Sequence, residues 1–313
     1  MNYLLKKYYM QNPENDNDQF GENPDSERIL DSIIDDDDET FIKLVSKYIL
    51  SDSSINQVFR LNKYKLPDIL MNKPSYASLC AFFGSEKCFS ALSNIFPNGC
   101  ESDQMKKVDN QNCSPVHFAC AGGNLNILRE LEHAGFDLDE PDKNGYTPSC
   151  YAAAFGQLNI IKFLWTKGAE IVTSRKYMIS PVTFEIACLY GHLNIVKFLY
   201  ETIYPLLDSN NQKILFSGSK WYGLMPMHYA CASGNADLVE YLLKIDEFSN
   251  NQINLYDDKG RNPLSHACIF GNLDVIKVLM KLNKANLHPN KRRHLPLVDA
   301  ASYGHTDIVN FLL

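Results

Sequence analysis

One pattern recurs along the chain and constrains its fold more than any other feature. The best-formed copy is TPSCYAA, Thr147 to Ala153, followed by Phe155 and Gly156 and then by Leu158, Ile160, Ile161 and Leu164. Each copy has a small pair, often Ala-Cys, then two residues, a glycine, and apolar residues two, four, five and eight positions beyond the glycine. Those offsets place the apolar quartet on one face of a helix. The glycines are Gly84, Gly123, Gly156, Gly191, Gly234, Gly271 and Gly304, at spacings of 39, 33, 35, 43, 37 and 33 residues. A period near 33 residues predicts stacked units whose core is continuous from one unit to the next.

The fixed positions have physical reasons. Pro115, Pro148, Pro226, Pro263 and Pro296 stand eight residues before their glycines. Proline in a first helical turn loses no hydrogen bond and sets the entry angle. The small pair keeps the first helix thin enough for a neighbour to stack on it. Glycine then supplies the turn between helices, a conformation that costs residues carrying a Cβ.

The remaining composition narrows the setting. The chain has 313 residues, 45% of them hydrophobic, so it is long enough for two ordinary domains unless a repeat array replaces the single core. MNYLLKKYYM at the N-terminus is too short and too interrupted by Lys6 and Lys7 for a signal peptide, and no apolar run spans a bilayer. The nine cysteines are therefore expected as reduced thiols in a cytoplasmic protein. Residues 1 to 60 hold 13 acids and 6 bases (−7), and residues 259 to 313 hold 3 acids and 8 bases (+5), so charge is expected to run from acidic to basic along the array.

Residues 1–28 read as a polar, acidic tail and 29–71 as divergent capping helices with a connector; 72–313 is the repeat array, about seven units with the last incomplete. Within the cap, Phe41, Ile42, Val45 and Ile49 form an apolar side. Asp37 is expected where the repeats have glycine. Asp35 to Asp38 read as a solvated helix start rather than a cation site, because they lack the alternation of a calcium loop.

Pro115-Val116-His117, Pro226-Met227-His228, Gly191-His192-Leu193 and Gly304-His305 resemble the ankyrin-repeat pattern TPLHxAA…G(H/N)L…VxxLL. The divergent first unit, with Phe82-Phe83-Gly84-Ser85 and Cys88-Phe89, is further similar to a large protozoan family of ankyrin proteins. The resemblance implies an all-α solenoid of helix-turn-helix units joined by β-turn fingers, with a concave groove that takes partner proteins. It also implies an inter-repeat hydrogen-bonding role for His117 and His228.

Cys120, Cys188, Cys231 and Cys268 all occupy the second small-residue slot, and Cys80 the first, so they read as small buried hydrophobes rather than zinc ligands. His192 and His305, which follow their glycines, likewise read as structural. No catalytic triad, phosphate loop or HExxH stretch is present, so no enzyme activity, cofactor or metal is expected.

The residues the scaffold leaves free carry the functional expectation. The position before the glycine holds Phe83, Gly122, Phe155, Tyr190, Ser233, Phe270 and Tyr303, and in the family it faces the groove. Five aromatics in register suggest a ladder for a partner, with packing on the neighbouring helix as the plainer account. Finger positions add Tyr146, Trp221, Tyr222, Arg261 and Arg293 to the expected partner-binding set. Glu201 to Lys220 makes one spacing about ten residues longer than the standard, and a projecting loop is expected there, closed by Trp221.

The expected function is a non-catalytic, monomeric scaffold for protein partners. Lys277, Lys281, Lys284, Lys291, Arg292 and Arg293 raise a nucleic-acid alternative, weakened by a pI near 5.6. A further alternative is the recognition arm of a larger enzyme or channel, since the sequence given stops at Leu313 inside a second helix.

Overall fold

The computed structural model describes residues 25–49, 68–171, 183–216, 222–281, 285–287 and 295–313. They divide into two compact units, Met1–Ala152 and Ala153–Leu313. The described residues are helical, with no strand among them.

In the first unit the helices are α1 (Ser26–Ile34), α2 (Asp38–Ile49), α3 (Tyr76–Phe83), α4 (Glu86–Ile95), α5 (Pro115–Gly122), α6 (Leu125–His133) and the start of α7 (Pro148–Ala154). First helices stack on first helices, α3 against α5. The small pair makes this possible, since Cys80, Ala81, Ala119 and Cys120 are fully buried. Second helices put their quartets inward, as Ile127, Leu128 and Leu131 do on α6.

The α1–α2 hairpin is the cap. Phe41, Leu44 and Val45 are buried, whereas Ile42 is half-buried. The residue in the glycine-like left-handed conformation is Asp36 (φ 52°), one place before the Asp37 expected from the sequence. Asp37 instead caps α2, its Oδ1 accepting from the Thr40 N–H at 3.1 Å. Asp36 Oδ1 accepts from the Cys88 N–H at 3.1 Å, and Ser85 Oγ donates to the Ile33 carbonyl, so the hairpin is fastened to the start of α4. The 29–71 cap is thus seen at its two ends; residues 50–67 lie outside the described residues, as does the 1–24 part of the tail.

The second unit continues with α8 (Leu158–Thr166), α9 (Thr183–Leu189), α10 (Leu193–Lys197), α11 (Ser209–Phe216), α12 (Pro226–Ser233), α13 (Ala236–Leu242), α14 (Pro263–Phe270), α15 (Leu273–Lys281), α16 (Pro296–Ser302) and α17 (Thr306–Leu312). Here α9, α12, α14 and α16 stack in succession. The long spacing between Gly191 and Gly234 is not simply a loop: α10 runs on as a π-helical stretch over Phe198–Ile203 and a 3-10 turn over Tyr204–Leu206, and α11 follows.

Stacking is fixed by the residue after the glycine at Asn124, His192, Asn235, Asn272 and His305. Its side chain reaches back over the previous repeat's glycine and satisfies carbonyls at the end of that repeat's first helix, which have no partner within the helix. Asn272 Nδ2 donates to Cys231 and Ala232 carbonyls (2.9 and 3.0 Å), and Asn124 Nδ2 to Ala81 and Phe82 (both 2.8 Å). Asn235 Nδ2 donates to Gly191 (2.8 Å). His192 Nε2 bonds the Ala154 carbonyl (3.0 Å) and His305 Nε2 that of Ile269 (2.9 Å), which gives these two histidines the structural role expected. The clamp also accounts for the glycines it covers. A Cβ on Gly271 would lie 2.7 Å from the His305 ring, and one on Gly234 2.8 Å from Asn272 Oδ1. Asn272→Ala leaves two carbonyls unpartnered and should cost about 1–3 kcal/mol. Asn272→His should restore most of it, as His192 and His305 do elsewhere. Urea midpoints of the three proteins test this, and an Asn272→Ala as stable as wild type would refute the clamp.

Candidate partner-binding face

Among the described residues three fingers, at 109–113, 142–146 and 257–261, are each organised by one aspartate. Asp142 Oδ1 accepts from the N–H groups of Asn144 and Tyr146, both at 2.8 Å. Asp109 Oδ1 does the same with Gln111 and Cys113 (both 2.8 Å), and Asp257 Oδ1 with Lys259 and Arg261 (2.9 and 2.8 Å). A short acceptor bonded to donors two and four residues on mimics a backbone turn and closes the finger. The main chain adds a bond across each base, from the N–H of Asp109, Asp142 and Asp257 to the carbonyls of Cys113, Tyr146 and Arg261. In the first unit successive fingers join edge to edge, Lys143 N–H donating to the Gln111 carbonyl at 2.8 Å. In the second, Asp258 N–H donates to the Tyr222 carbonyl at 2.9 Å.

In two of the three, the other carboxylate oxygen is served from the next first helix, nine residues on. Tyr151 Oη donates to Asp142 Oδ2 at 2.9 Å, and His266 Nε2 donates to Asp257 Oδ2 at 3.0 Å. Burial opposes charge on Asp257, yet the bond and charge of His266 hold its carboxyl below the ordinary value. Burial pushes the Asp142 carboxyl up, against the Tyr146 and Tyr151 bonds that favour its charge.

The residues expected to bind a partner have different fates. Phe83, Phe155, Tyr190 and Phe270 are half-buried, and Tyr303 is 49% exposed. They keep accessible surface while the small pairs preceding them on α3, α7, α9 and α14 are buried. Phe83 also meets Phe82 edge to face, with ring centroids 5.3 Å apart. Tyr146 requires a correction: it is 6% exposed, because the turn around Asp142 directs it into the protein, so it offers a partner almost no surface. Arg261 is confined too, its side chain 15% exposed and its Nε 3.7 Å from Asp299 Oδ1 on α16. Tyr222 is half-buried with φ 63°. Trp221 and Arg293 lie outside the described residues.

Sequence reasoning missed the residue just before the finger aspartate. Val108 is 37% and Tyr256 39% exposed, both one place ahead of Asp109 and Asp257, and Leu255 beside Tyr256 is 39% exposed. Counting back from the finger aspartate would have found them. It also missed contacts between second helices: Lys162 Nζ lies 5.6 Å from the Phe198 ring and Lys197 Nζ 5.3 Å from the Tyr241 ring. Lysine stands six residues after one glycine and the aromatic seven after the next, a correlation visible only once the repeats are superposed.

The cysteines of the small-pair slots are free and buried. Burial pushes the Cys88 thiol up to about 12 and that of Cys100 up to about 11, away from the thiolate a nucleophile or metal ligand needs. Among the described residues no group of three or more His, Cys, Asp and Glu side chains is arranged to hold a metal ion. His228 bridges repeats as expected: its Nδ1 accepts from the Met225 N–H (3.0 Å) and its Nε2 lies 3.1 and 3.2 Å from the Leu255 and Arg261 carbonyls. Of the basic group near the C-terminus, Lys277 pairs with Asp274 at 2.9 Å, while Lys284, Lys291, Arg292 and Arg293 lie outside the described residues. No described helix is long and apolar enough to cross a membrane.

Comparison with known proteins agrees with this architecture. A family model described as ankyrin repeats (3 copies) matches residues 77–175, 182–252 and 227–313. No individually curated protein matches the chain. Among solved structures, the human ASB11 ankyrin repeat domain superposes with a TM-score of 0.53 at 16% identity, covering 83% of this chain and 97% of that one, a likeness of fold. The stacked helix pairs, the aspartate-closed fingers, the glycine clamps and the family match over most of the chain together establish that this chain belongs to the ankyrin-repeat family.

Proposed function

We propose that this chain is a non-catalytic, cytoplasmic scaffold that acts as a monomer and holds a protein partner on the face made by the ends of the first helices and the fingers. Ankyrin repeats are in general protein-interaction modules, and the observation that carries the reading here is local. Phe83, Phe155, Tyr190 and Phe270 share one register, and each is half-buried beside a buried small pair. Rings already held by a rigid helix lose little freedom on binding, which is why such side chains dominate interface energetics. Tyr303 belongs to the same set, and Tyr222 and Arg261 lie at the finger edge. Tyr146 is withdrawn from it on its burial, and Val108, Leu255 and Tyr256 join it on their exposure.

Affinity capture with mass spectrometry, run in parallel on the wild-type chain and on Phe155→Ala with Tyr190→Ala, tests the proposal. The double variant should lose the captured protein, a drop of at least tenfold for two anchors worth about 1 kcal/mol or more each, while its helical content and thermal midpoint stay near wild type. Equal capture by both chains rejects the aromatic register as the binding element.

A further inference from the structure

Three finger aspartates occupy the same place, and one of them is incomplete. Asp142 and Asp257 have both carboxylate oxygens bonded, the second by Tyr151 and His266 respectively. The residue nine positions after Asp109 is Phe118, which has no polar atom to offer. Asp109 Oδ2 accordingly has no hydrogen-bond partner among the described residues, although Asp109 is only 6% exposed. An ionised carboxylate buried with an unserved oxygen is costly, and its neutral form is favoured.

We propose that the finger at 109–113 is a proton-responsive element in which Asp109 is the proton-binding group, neutral in mildly acidic solution and charged above it. The proton sits on Oδ2, the free oxygen, while Oδ1 keeps its bonds to the Gln111 and Cys113 amides in both states. Burial pushes the Asp109 carboxyl up to about 6, and the negative charge of Asp142 on the adjoining finger acts in the same direction. The Cys113 and Gln111 amides oppose it by favouring the charged form. The other titratable side chains around this finger include the Cys113 thiol and the Tyr151 phenol, with Sγ and Oη 3.1 Å apart, His117 on α5, which burial pushes down to about 4, Lys143, whose backbone N–H donates to the Gln111 carbonyl, and Lys73, next to Asn72, whose carbonyl accepts from the Asn110 N–H.

With a folded value above that of the unfolded chain, near 4, the contribution of Asp109 to stability is fully present below the unfolded value and is lost as pH rises through about 6. His117 acts with the opposite sign over an overlapping range, so the bulk pH profile alone does not reveal Asp109.

A carboxyl-detected NMR titration of the full chain, assigned through loss of the signal in Asp109→Asn, reads the group directly. The expected midpoint is about 6 in wild type. In Phe118→Tyr it should fall below the wild-type midpoint while staying above the ordinary aspartate value, because a phenol then serves Oδ2 as Tyr151 serves that of Asp142, whose carboxyl burial still pushes up. A wild-type midpoint near 4, or one unmoved in Phe118→Tyr, overturns the proposal. Should Phe118→Tyr fail to fold, the stability of Asp109→Asn relative to wild type decides. From pH 4 to 7.5 the wild-type folding equilibrium constant should fall about fiftyfold against that of the variant, because the folded and unfolded midpoints of one carboxyl lie about two pH units apart and at pH 4 about half of the unfolded carboxyls are already ionised. A ratio constant across that range overturns the proposal as well.

Discussion

Gly122→Ala should destabilise the protein by about 2–4 kcal/mol, although alanine is ordinarily the better helix former by about 1 kcal/mol. Gly122 closes α5 at the register where other repeats carry aromatics, and there α5 approaches α3 with nothing between them. A Cβ would lie 2.8 Å from the Phe82 carbonyl carbon, closer still to its oxygen, and 2.6 Å from Asn124 Nδ2. None of these atoms can yield cheaply. The carbonyl belongs to helical backbone, and Asn124 Nδ2 is held by its 2.8 Å bonds to Ala81 and Phe82. The added methyl therefore forces α3 and α5 apart or expels the clamp. Gly135→Ala is the control: φ is 74° there but nothing lies within 4 Å of the new Cβ, so its cost is conformational alone, about 1–2 kcal/mol. Urea denaturation of both variants compares overlap with strain. In Asn124→Ala the second substitution should cost less than in wild type, because the clamp it displaces is already gone. A Gly122→Ala protein as stable as wild type would show that the repeats do not meet at this position.

That close approach illustrates what can be read from the sequence and what cannot. The period, the Pro and Gly positions and the apolar quartets each reflect a rule acting within one repeat, and those rules place the helices of the array correctly. The left-handed residue of the cap falls one place from its expected position, because an aspartate run offers several candidates and only packing of Asp36 against Cys88 chooses among them. Tyr146 departs from expectation for a similar reason. Within its finger Lys143 and Asn144 are exposed while Tyr146 is buried, and the two amide bonds to Asp142 that set the turn are invisible in composition. The pre-glycine aromatics are legible as a register but not as a surface, since their exposure depends on how closely the neighbouring helix approaches. The finger aspartates escape a reading of the sequence because their importance lies in a pairing nine residues away, which becomes evident only when Tyr151, His266 and Phe118 are seen in one structural position.

His228→Leu should cost about 3 kcal/mol at pH 7.5 and should also remove a component of acid sensitivity. The imidazole is fully buried in α12. Its Nδ1 accepts from the Met225 N–H, and so its Nε2 carries the proton and donates toward the Leu255 and Arg261 carbonyls, joining the start of one helix to the finger of the following repeat. This arrangement needs the neutral ring with one definite tautomer. Leucine fills the space but leaves one donor and two acceptors without His228, each a loss of about 1–3 kcal/mol if nothing replaces it. Burial pushes the imidazole well below its ordinary value, and the His266 ring 5.1 Å away adds to the shift, with Asp257 opposing. In the unfolded chain the same ring takes up a proton below about pH 6.5. The unfolded state thus binds more protons than the folded one below that pH, and stability falls as the solution is acidified. His228→Leu lacks this loss. The stability difference between wild type and variant should therefore be largest above pH 7 and narrow steadily toward pH 4, because the wild type weakens while the variant does not weaken through this group. The contributions of Asp109 and His117 are common to both chains and cancel in the comparison. A difference that stays constant from pH 7.5 to 4.5 would mean that His228 accepts its proton in the folded state, and the neutral, ε-protonated bridge would have to be abandoned.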